Sequence, residues 1–323
     1  MSVLSQKHFH NEAAAYGFVE AHVWPEGRVC PHCGVLGESG ALKGKSTRIG
    51  VYKCYACRKP FTVKVGTIFE ASHVPLHKWL QAIFLLCSSK KGISSNQLAR
   101  TLEITLKSAW FLSHRIREAM RDGSLGPLGG EGKIVEADET YFGRSAKARK
   151  TTTRGLAFTK PSRKKLYPKR SVVSLVERGG SVRSFHVETA DKATVAGIVI
   201  NNVARESRLH TDESALYKGA DAHVAQHETV LHTSKEYARG DVTTNSVEGY
   251  FSIFKRGMKG IYQHCSEKHL HRYLSEYDFR YNAREALGVN DEARAVKALK
   301  GIVGKRLTYR AAGSKNERSQ AEG

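Results

Sequence analysis

Apolar residues recur at helical spacing between Leu76 and Met120. The run "HKWLQAIFLLCSSKKG" predicts an apolar-faced helix that ends near Gly92, and "SSNQLARTLEITLKSAWFLSHRIREAM" predicts a short helix, a turn and a longer helix. The apolar positions expected to hold these helices together are Leu98, Leu102, Ile104, Ala109, Leu112 and Ile116, and those expected to remain outside are Lys107, Ser108, His114, Arg115 and Arg117. This pattern is typical of a helix-turn-helix; the alternative is a helical connector with a solvated basic face.

After a glycine-rich stretch at 121–133, short apolar runs alternate with helical patterns. "KIVEAD" predicts a strand that ends at Asp138, and "SVVSLVE" and "SVRSFHVE" predict two strands joined by a hairpin at "RGG". "DKATVAGIVINNVA" predicts a helix capped by Asp191, "RLHTD" and "HETVLH" predict two more strands, and "NSVEGYFSIFKRGM" predicts a last helix. This order of elements predicts an α/β domain.

The last of these helices has two distinct faces. Its apolar face consists of Val247, Tyr250, Phe251, Phe254 and Met258. Glu248, Ser252 and Lys255 share a different face at positions i, i+4 and i+7. One carboxylate and one cation therefore project from the same side of the helix, two turns apart.

The composition is strongly basic. Among 323 residues, 52 are Lys or Arg and 31 are Asp or Glu, which gives a formal charge of +21 and a pI of about 9.8. This charge predicts a polyanionic partner, with nucleic acid as the first candidate and an anionic membrane surface as the second. The longest apolar run, "WLQAIFLLC", is too short to span a bilayer, and the first residues lack a signal-peptide pattern, so we expect a cytosolic protein.

Four of the six cysteines form two close pairs, Cys30 with Cys33 and Cys54 with Cys57. Two CxxC knuckles supply the four sulfurs of a tetrahedral structural Zn²⁺ site, and the residues around the second knuckle alternate as in the strands of a zinc ribbon. A site with four protein ligands is closed, so it would stabilise the module without doing chemistry. The alternative is four buried cysteines without a metal ion.

Three acidic residues lie at the ends or on the polar face of the predicted elements: Asp138, Asp212 and Glu248. Such residues can converge on two divalent ions about 4 Å apart, the arrangement that activates a hydroxyl in phosphoryl transfer. Oxygen ligands favour Mg²⁺ or Mn²⁺. The alternatives are ordinary strand-end carboxylates for the aspartates and a capping box for Asn245 and Glu248.

The neighbouring carboxylates are weaker candidates. Glu139 and Glu213 directly follow the two aspartates and should point to the opposite side of each strand, which excludes them from the ligand set. Glu136 shares the face of Asp138 and is a weaker candidate ligand.

The motifs "VEADETYFG", "HTDES", "TNSVEGYFSIFKRGMKGIYQH" and "KHLHRYLSEYDFRYNAR" resemble those of the ISXO-like group of bacterial insertion-sequence transposases. The resemblance covers nearly the whole chain, because that group also has a zinc ribbon and a helix-turn-helix region before its catalytic domain. It implies an RNase H-like DDE domain with a mixed sheet, which cuts transposon ends by metal-assisted hydrolysis and joins the freed 3′-hydroxyl to target DNA.

The resemblance also implies roles for particular residues. Asp138, Asp212 and Glu248 correspond to the first, second and third carboxylates, and Lys255 to the basic residue seven positions later. Asn245 matches the residue counted as third in some members, and we prefer Glu248 because a carboxylate holds a divalent ion better than an amide. This chain has Thr243 where many members have histidine.

Further basic residues are candidates for DNA contact. Between residues 144 and 170, 11 of 27 residues are Lys or Arg and none is acidic, so this run should neutralise phosphates without reading bases. The alternative is a solvated loop. The candidate DNA-binding residues are Lys107, Arg115, Lys150, Arg163, Lys164, Lys165, Arg256 and Lys259.

These observations predict a multidomain chain. We expect a zinc ribbon with an N-terminal helix at 1–72, a helix-turn-helix region at 73–122, a linker at 123–132, the RNase H-like domain at 133–310 and a disordered tail at 311–323. The predicted function is a transposase that binds its terminal inverted repeats and performs strand cleavage and transfer. The alternatives are a non-catalytic DNA-binding regulator and a nuclease without joining activity.

The expected partners and location follow from that function. Double-stranded DNA, both transposon ends and target, is the expected partner, and pairing of two ends implies a homodimer or higher oligomer. We expect the protein to act in the bacterial cytoplasm at the nucleoid, without a membrane partner.

Overall fold

The computed structural model describes residues 2–121, 123, 126–144, 149–153, 162–166, 169–234 and 236–308, with the backbone alone at 149–153 and 162–166. Its main helices are α1 (Glu12–Val23), α2 (Leu76–Ser88), α3 (Ser95–Leu102), α4 (Leu106–Met120), α5 (Lys192–Asn202), α6 (Asn245–Gly257), α7 (Leu270–Asn282) and α8 (Asp291–Lys300). The strands are β1 (Ser39–Ala41), β2 (Tyr52–Cys54), β3 (Pro60–Phe61), β4 (Ile134–Phe142), β5 (Arg149–Thr153), β6 (Ser162–Leu166), β7 (Arg170–Glu177), β8 (Val182–Val187), β9 (Arg208–Asp212) and β10 (Gln226–Val230).

The chain divides into two compact units. The first contains the described residues of 1–89, 93–121 and 290–323, and the second contains those of 90–92 and 122–289. No helix in the described part of the chain is long and apolar enough to cross a membrane.

In the first unit, β1, β2 and β3 form a small antiparallel sheet, and helices fixed by side-chain caps follow it. Glu12 of α1 accepts hydrogen bonds from the backbone N–H groups of Leu76 and His77 at 2.8 and 3.1 Å. N–H groups at the start of a helix have no partner within the helix, and Pro75, which precedes α2, offers no side-chain cap. The carboxylate therefore ties α1 to α2 and satisfies the N-terminus of α2.

Helices α3 and α4 have the predicted helix-turn-helix arrangement. Ser94 and Thr105 cap the two helices, and Glu103 takes a left-handed conformation with φ of 51° in the turn between them. Leu98, Leu102, Ala109, Leu112 and Ile116 are buried as expected.

The expectation that one face of α4 stays outside is wrong at three positions. His114, Arg115 and Arg117 are buried, with 1, 6 and 1% of their surface exposed. The Arg115 guanidinium donates to the carbonyl oxygens of Ile68, Glu70 and Leu307 within the first unit. Arg115 therefore has a structural role there, and it is not an exposed DNA contact.

Two segments lie elsewhere than the predicted domain limits imply. Helix α8 was expected in the domain at 133–310, but its buried Ala298 and Leu299 belong to the first unit, where α8 packs against α2. Leu128 falls in the predicted linker, but it is buried in the second unit. Its N–H donates to the carbonyl of Asn202, the last residue of α5, and its carbonyl accepts from the N–H of Ala204. In the predicted linker, the buried side chain of Leu128 outweighs the glycine content as a guide to structure.

The second unit is built on a five-stranded sheet in the order β10-β9-β4-β7-β8. β4 and β8 each pair antiparallel with β7, whereas β9 lies parallel to both β4 and β10. The sheet is therefore mixed, as predicted. The basic run between β4 and β7 contains a separate antiparallel pair, β5 and β6.

Helices cover both faces of this sheet. Val172 and Val176 of β7 pack with α6 and α7, while Val173 and Leu175 pack with Val195 and Val199 of α5. The whole predicted apolar face of α6 lies in the first of these clusters. Strand residues of opposite parity therefore face opposite helical layers.

A buried carboxylate fixes the helix layer beside β8. Asp278 of α7 accepts hydrogen bonds from the Ser184 N–H and hydroxyl at 2.9 and 2.7 Å and from the Tyr250 hydroxyl at 2.6 Å. Burial raises the pKa of Asp278 to about 6, although these hydrogen bonds lower it. The network joins α6, α7 and β8, and so holds α6 against the sheet.

Candidate catalytic and metal-binding sites

The four paired cysteines form one compact sulfur cluster in the first unit. The distances from Cys30 Sγ to Cys57 Sγ and from Cys33 Sγ to Cys54 Sγ are both 3.7 Å, and all four sulfurs lie within 4.8 Å of one another. A tetrahedral zinc ion with Zn–S bonds of about 2.3 Å requires sulfurs about 3.8 Å apart. The cluster therefore has the dimensions of a structural zinc site.

The knuckles are shaped by their backbones. The Gly34 N–H donates to the Cys30 carbonyl at 2.8 Å with Gly34 at a φ of 76°, which closes the turn tightly enough for two sulfurs to point inward. His32 lies in that turn with its Nε2 3.3 Å from the carbonyl of Pro60. The predicted set of Cys30, Cys33, Cys54 and Cys57 is thus the set that the structure brings together.

In the second unit, strand register places the two aspartates level with each other, just beyond the last paired residues of β4 and β9. The predicted strand end at Asp138 is wrong, because β4 continues to Phe142 through its pairing with β7. β4 and β9 run parallel, and Glu136 lies beside His210. Two residues further along each strand come Asp138 and Asp212, so both are level and share one face. That face carries α6, because Val135, Ala137 and Leu209, of opposite parity, pack in the cluster with α5.

Burial and neighbouring negative charges both oppose ionisation of Asp138. Burial, followed by the negative charges of Glu139 and Asp212, raises the pKa of Asp138 to about 7, and Glu248 contributes a smaller rise. Glu248 is therefore within electrostatic reach of Asp138 although it lies on a different element. A cluster in which carboxylates oppose one another's ionisation is a typical site for a divalent cation.

A further carboxylate, Glu136, positions the helix that carries Glu248. Its side chain is fully buried and accepts hydrogen bonds from the N–H groups of Ser246 and Val247 at 2.7 and 3.1 Å. It also forms a salt bridge of 2.7 Å with Arg178. Glu136 thus caps α6 from the strand that holds Asp138, so its oxygens are engaged in positioning and it is not a ligand.

The N-terminus of α6 also differs from the capping box considered for Asn245. Thr244 is the N-cap residue, and its hydroxyl donates to Glu248 Oε1 at 2.8 Å. Asn245 is the first residue of the helix and is exposed. The true cap of the backbone comes from Glu136, 110 residues earlier in the chain, which local spacing could not reveal.

Comparisons with known families agree with this geometry. Residues 127–282 match the ISXO2-like transposase domain, and residues 10–60 match the transposase zinc-ribbon domain. Together these matches cover well over half of the chain. The chain belongs to the ISXO2-like transposase family. The predictions of a zinc ribbon, a helical region and an α/β transposase domain with a mixed sheet are confirmed.

One relative is an uncharacterized protein in transposable element ISH50 of Halobacterium salinarum. It is 29% identical over 294 residues, which cover 87% of this chain and 96% of the relative. A pre-cleavage Mos1 transpososome is 15% identical, with 68% of this chain and 73% of that chain covered and a TM-score of 0.28. A mariner Mos1 paired end complex with Mg is also 15% identical, over 68 and 74%, with a TM-score of 0.24. Both structural similarities are too low to define the fold.

Within the ISXO2-like domain, Glu139 lies on the side of the sheet opposite Asp138. Its carboxylate accepts a hydrogen bond of 3.2 Å from the hydroxyl of Tyr217, a residue of the α5-side cluster. Burial and the charge of Asp212 raise the pKa of Glu139. The contact with Tyr217 therefore agrees with the exclusion of Glu139 from the ligand set, which was based on the alternation of side chains along the strand. The charge of Glu139 still raises the pKa of Asp138.

The predicted basic residues have different surroundings. Lys255 is half-buried on α6 with its Nζ 5.9 Å from the centre of the Phe251 ring, while Arg256 and Lys259 are exposed at the end of that helix. Lys107 is exposed at the start of α4 in the first unit. The side chains of Lys150, Arg163, Lys164 and Lys165 lie outside the described part of the structure, which gives only their backbone pairing in β5 and β6.

Arg178 and His232, beside the carboxylates, were not singled out from the sequence, and Glu213 was considered only as a ligand and excluded. Glu213 accepts hydrogen bonds from the N–H groups of His232 and Thr233 at 2.7 and 2.9 Å. Arg178 donates to Glu136 and to the carbonyl and hydroxyl of Thr243. His232 Nε2 lies 3.8 Å from Glu248 Oε1. Only the topology of the fold brings these residues together. The one feature of the local sequence that indicates their position is that Glu213 directly follows Asp212.

Proposed function

We propose that this protein is an active transposase, which binds the terminal inverted repeats of its insertion sequence and catalyses metal-dependent strand cleavage and strand transfer. The family assignment supports the general activity. The observation that carries the specific proposal is that Asp138 and Asp212 lie level with each other on one face of neighbouring strands, with Glu248 in electrostatic reach of Asp138.

In this proposal, Asp138, Asp212 and Glu248 would hold two divalent ions, Mg²⁺ or Mn²⁺, which activate the attacking hydroxyl and stabilise the leaving oxygen. The donor set fits such ions, because it consists of carboxylate oxygens, and burial together with the charges of neighbouring carboxylates raises the pKa of Asp138. The greater charge of Glu248 relative to Asn245 favours Glu248 as the third ligand. Glu136 keeps α6 in place, and Lys255 supplies positive charge near a DNA phosphate.

The reaction would have two steps at the same site. Water attacks the phosphodiester at the transposon end and releases a 3′-hydroxyl, and this hydroxyl then attacks a phosphodiester of the target DNA. Each step exchanges one oxygen for another on phosphorus, so no oxidant or energy source is needed. Asp138, Asp212 and Glu248 serve both attacks, and the basic side chains neutralise the strand that must lie beside them.

The first unit would supply end recognition. A Zn²⁺ ion on Cys30, Cys33, Cys54 and Cys57 would hold the ribbon, and the second helix of the helix-turn-helix, with Lys107 at its start, would approach the major groove. Arg256, Lys259 and the β5–β6 pair would contact phosphates. Two transposon ends in one complex require at least a dimer, and the reaction belongs at the cytoplasmic nucleoid.

The test combines a labelled transposon-end duplex, a supercoiled plasmid and the purified full chain. Reactions contain Mg²⁺, Mn²⁺ or chelator, and Asp212→Asn and Glu248→Gln are compared with the exposed-site control Glu131→Gln. We expect metal-dependent joined products with wild type and the control and none with the other two variants. Asn245→Ala should retain joining if Glu248 is the third ligand.

Different products would favour different activities. Cut ends without joined products would indicate a nuclease. Binding of the end duplex without cleavage, equal in wild type and Asp212→Asn, would indicate a DNA-binding regulator. Undiminished joining by Asp212→Asn would refute the carboxylate site.

A further inference from the structure

A chain of polar contacts ends on the carboxylate of Glu248. His232 Nε2 lies 3.4 Å from the hydroxyl oxygen of Thr244 and 3.8 Å from Glu248 Oε1. The Thr244 hydroxyl donates to the same Oε1 at 2.8 Å. Since a hydroxyl that donates to Glu248 can accept from a ring N–H, the contacts form one directed series from imidazole to hydroxyl to carboxylate.

The imidazole is itself held in place. Glu213 accepts from the backbone N–H groups of His232 and Thr233, and the ring of Tyr237 packs edge-on against His232 with centroids 5.5 Å apart. Glu213 is the residue after Asp212. The turn that carries His232 is therefore anchored to the strand end that carries the second catalytic carboxylate.

The side chain of Glu248 can move, so it needs such support. Its side chain is 47% exposed and projects from the first turn of a helix, whereas Thr244 is only 2% exposed and cannot move freely. Fixing a flexible glutamate in one rotamer before a metal ion binds lowers the entropy cost of ligation. Both contacts fall on Oε1, which leaves Oε2 as the oxygen to present.

We propose that His232, acting through Thr244, is a positioning residue that orients the Glu248 carboxylate for divalent-metal binding. This inference rests on the proposed function, because it assumes that Glu248 is a metal ligand. His232 itself touches neither DNA nor metal in this assignment. Its contribution is an N–H donor at the position of Nε2.

The test measures Mn²⁺ binding directly, by loss of the free-ion electron paramagnetic resonance signal, with the zinc-loaded full chain. His232→Phe removes the donor but retains a ring against Tyr237, and His232→Gln restores an N–H donor. Thr244→Val removes the intermediate hydroxyl at similar volume, and Thr244→Ser restores it. Thermal unfolding of every variant checks the fold, and Glu248→Gln and Asp212→Asn are the reference losses.

We expect His232→Phe and Thr244→Val each to weaken Mn²⁺ binding by about 10- to 100-fold, the usual effect of removing a group that orients a ligand. The double variant should lose no more than either single variant, because both act on one series of contacts. His232→Gln and Thr244→Ser should recover most of the affinity.

Three results would overturn the inference, and they differ from one another. Wild-type affinity in folded His232→Phe, with weak binding in Glu248→Gln, would remove the role of His232 alone. Equal losses in His232→Phe and His232→Gln would show that the N–H donor is not what matters. Wild-type affinity in Glu248→Gln and Asp212→Asn would refute the carboxylate metal site itself, and the inference with it.

Discussion

The sulfur cluster and the carboxylate site differ in the distance along the chain over which each is assembled. Each cysteine pair comes from a single tight turn, and all four sulfurs lie within 4.8 Å of one another. The proposed carboxylate site draws on two strands and a helix spread over residues 138–248, and its two aspartates lie level with each other only because β4 and β9 are parallel neighbours. The first site is encoded by local spacing and the second by topology.

The two sites also differ in what holds their ligands. The cysteines lie close enough together to share one ion, and a bound zinc ion would stabilise the ribbon. The carboxylates are held by protein contacts: Glu136 caps α6, and Glu213 anchors the turn of His232. Substitution of a cysteine ligand should therefore unfold the zinc ribbon. Substitution of a ligand in the proposed carboxylate site should instead remove metal binding and activity and leave the fold intact.

Loss of zinc should have the largest effect. Cys54→Ser, at a fully buried sulfur, should abolish zinc binding and unfold the ribbon, because structural zinc contributes on the order of 10 kcal/mol to such modules. Zinc content by mass spectrometry and end-duplex binding should fall together. Cys265→Ser, outside the cluster, should retain the zinc; a folded, zinc-free Cys54→Ser protein would contradict this account.

Removal of the Glu136 carboxylate should have the next largest effect. Glu136→Leu leaves Arg178 without its buried partner and two N–H groups of α6 uncapped, which should cost about 3–5 kcal/mol in the free energy of unfolding. Denaturant unfolding measures this loss. The matched control, Glu236→Gln at the looser 3.8 Å pair with Arg239, should cost less than about 1 kcal/mol.

The pKa of Asp138 predicts a smaller, pH-dependent effect. Because this pKa is raised to about 7 in the folded protein, the metal-free fold favours the protonated carboxyl. That contribution is fully present below the unfolded pKa of about 3.9 and is lost as pH rises through about 7. The melting temperature without metal should therefore fall between pH 5 and 8, and Asp138→Asn should flatten the profile.

Mn²⁺ provides the matching half of that test. It should raise the melting temperature at pH 8, where Asp138 is ionised, and have little effect at pH 5. A metal-free melting profile identical in wild type and Asp138→Asn would contradict the raised pKa of Asp138.

The smallest predicted effects distinguish the roles of two basic residues of α4, Lys107 and Arg115. Lys107→Gln should reduce the salt dependence of end binding by about one phosphate contact, with unchanged unfolding. Arg115→Gln should instead lower stability, because the guanidinium holds three buried or half-buried carbonyl groups. Fluorescence anisotropy across a salt series, beside thermal unfolding, distinguishes the two. An equal salt effect in both variants would contradict the burial of Arg115.

The sequence predicted best where one local pattern determined structure. The two CxxC pairs, the apolar face of α6 and the hairpin of β7 and β8 were all predicted and are all present. The contribution of Glu136 was not predictable in this way, because its partners at the start of α6 are brought near only by tertiary packing. The predicted exposure of His114, Arg115 and Arg117 was wrong for a related reason. Polar side chains predict exposure unless other groups satisfy them, and periodicity does not reveal those groups. Arg115 donates to a carbonyl oxygen 47 residues earlier in the chain, and Arg117 donates to the hydroxyl of Ser113 on the preceding turn of α4.

The central claim, that Asp138, Asp212 and Glu248 bind metal at one place, can be tested by iron-directed cleavage of the backbone. Fe²⁺ replaces the ions in the full-length protein, ascorbate and peroxide generate hydroxyl radicals at the bound ion, and mass spectrometry locates the cuts. We predict cuts near residues 138, 212 and 248 together, all suppressed by excess Mg²⁺ and absent in Asp212→Asn. Cuts at only one of these positions, or an unchanged pattern in Asp212→Asn, would contradict a shared site.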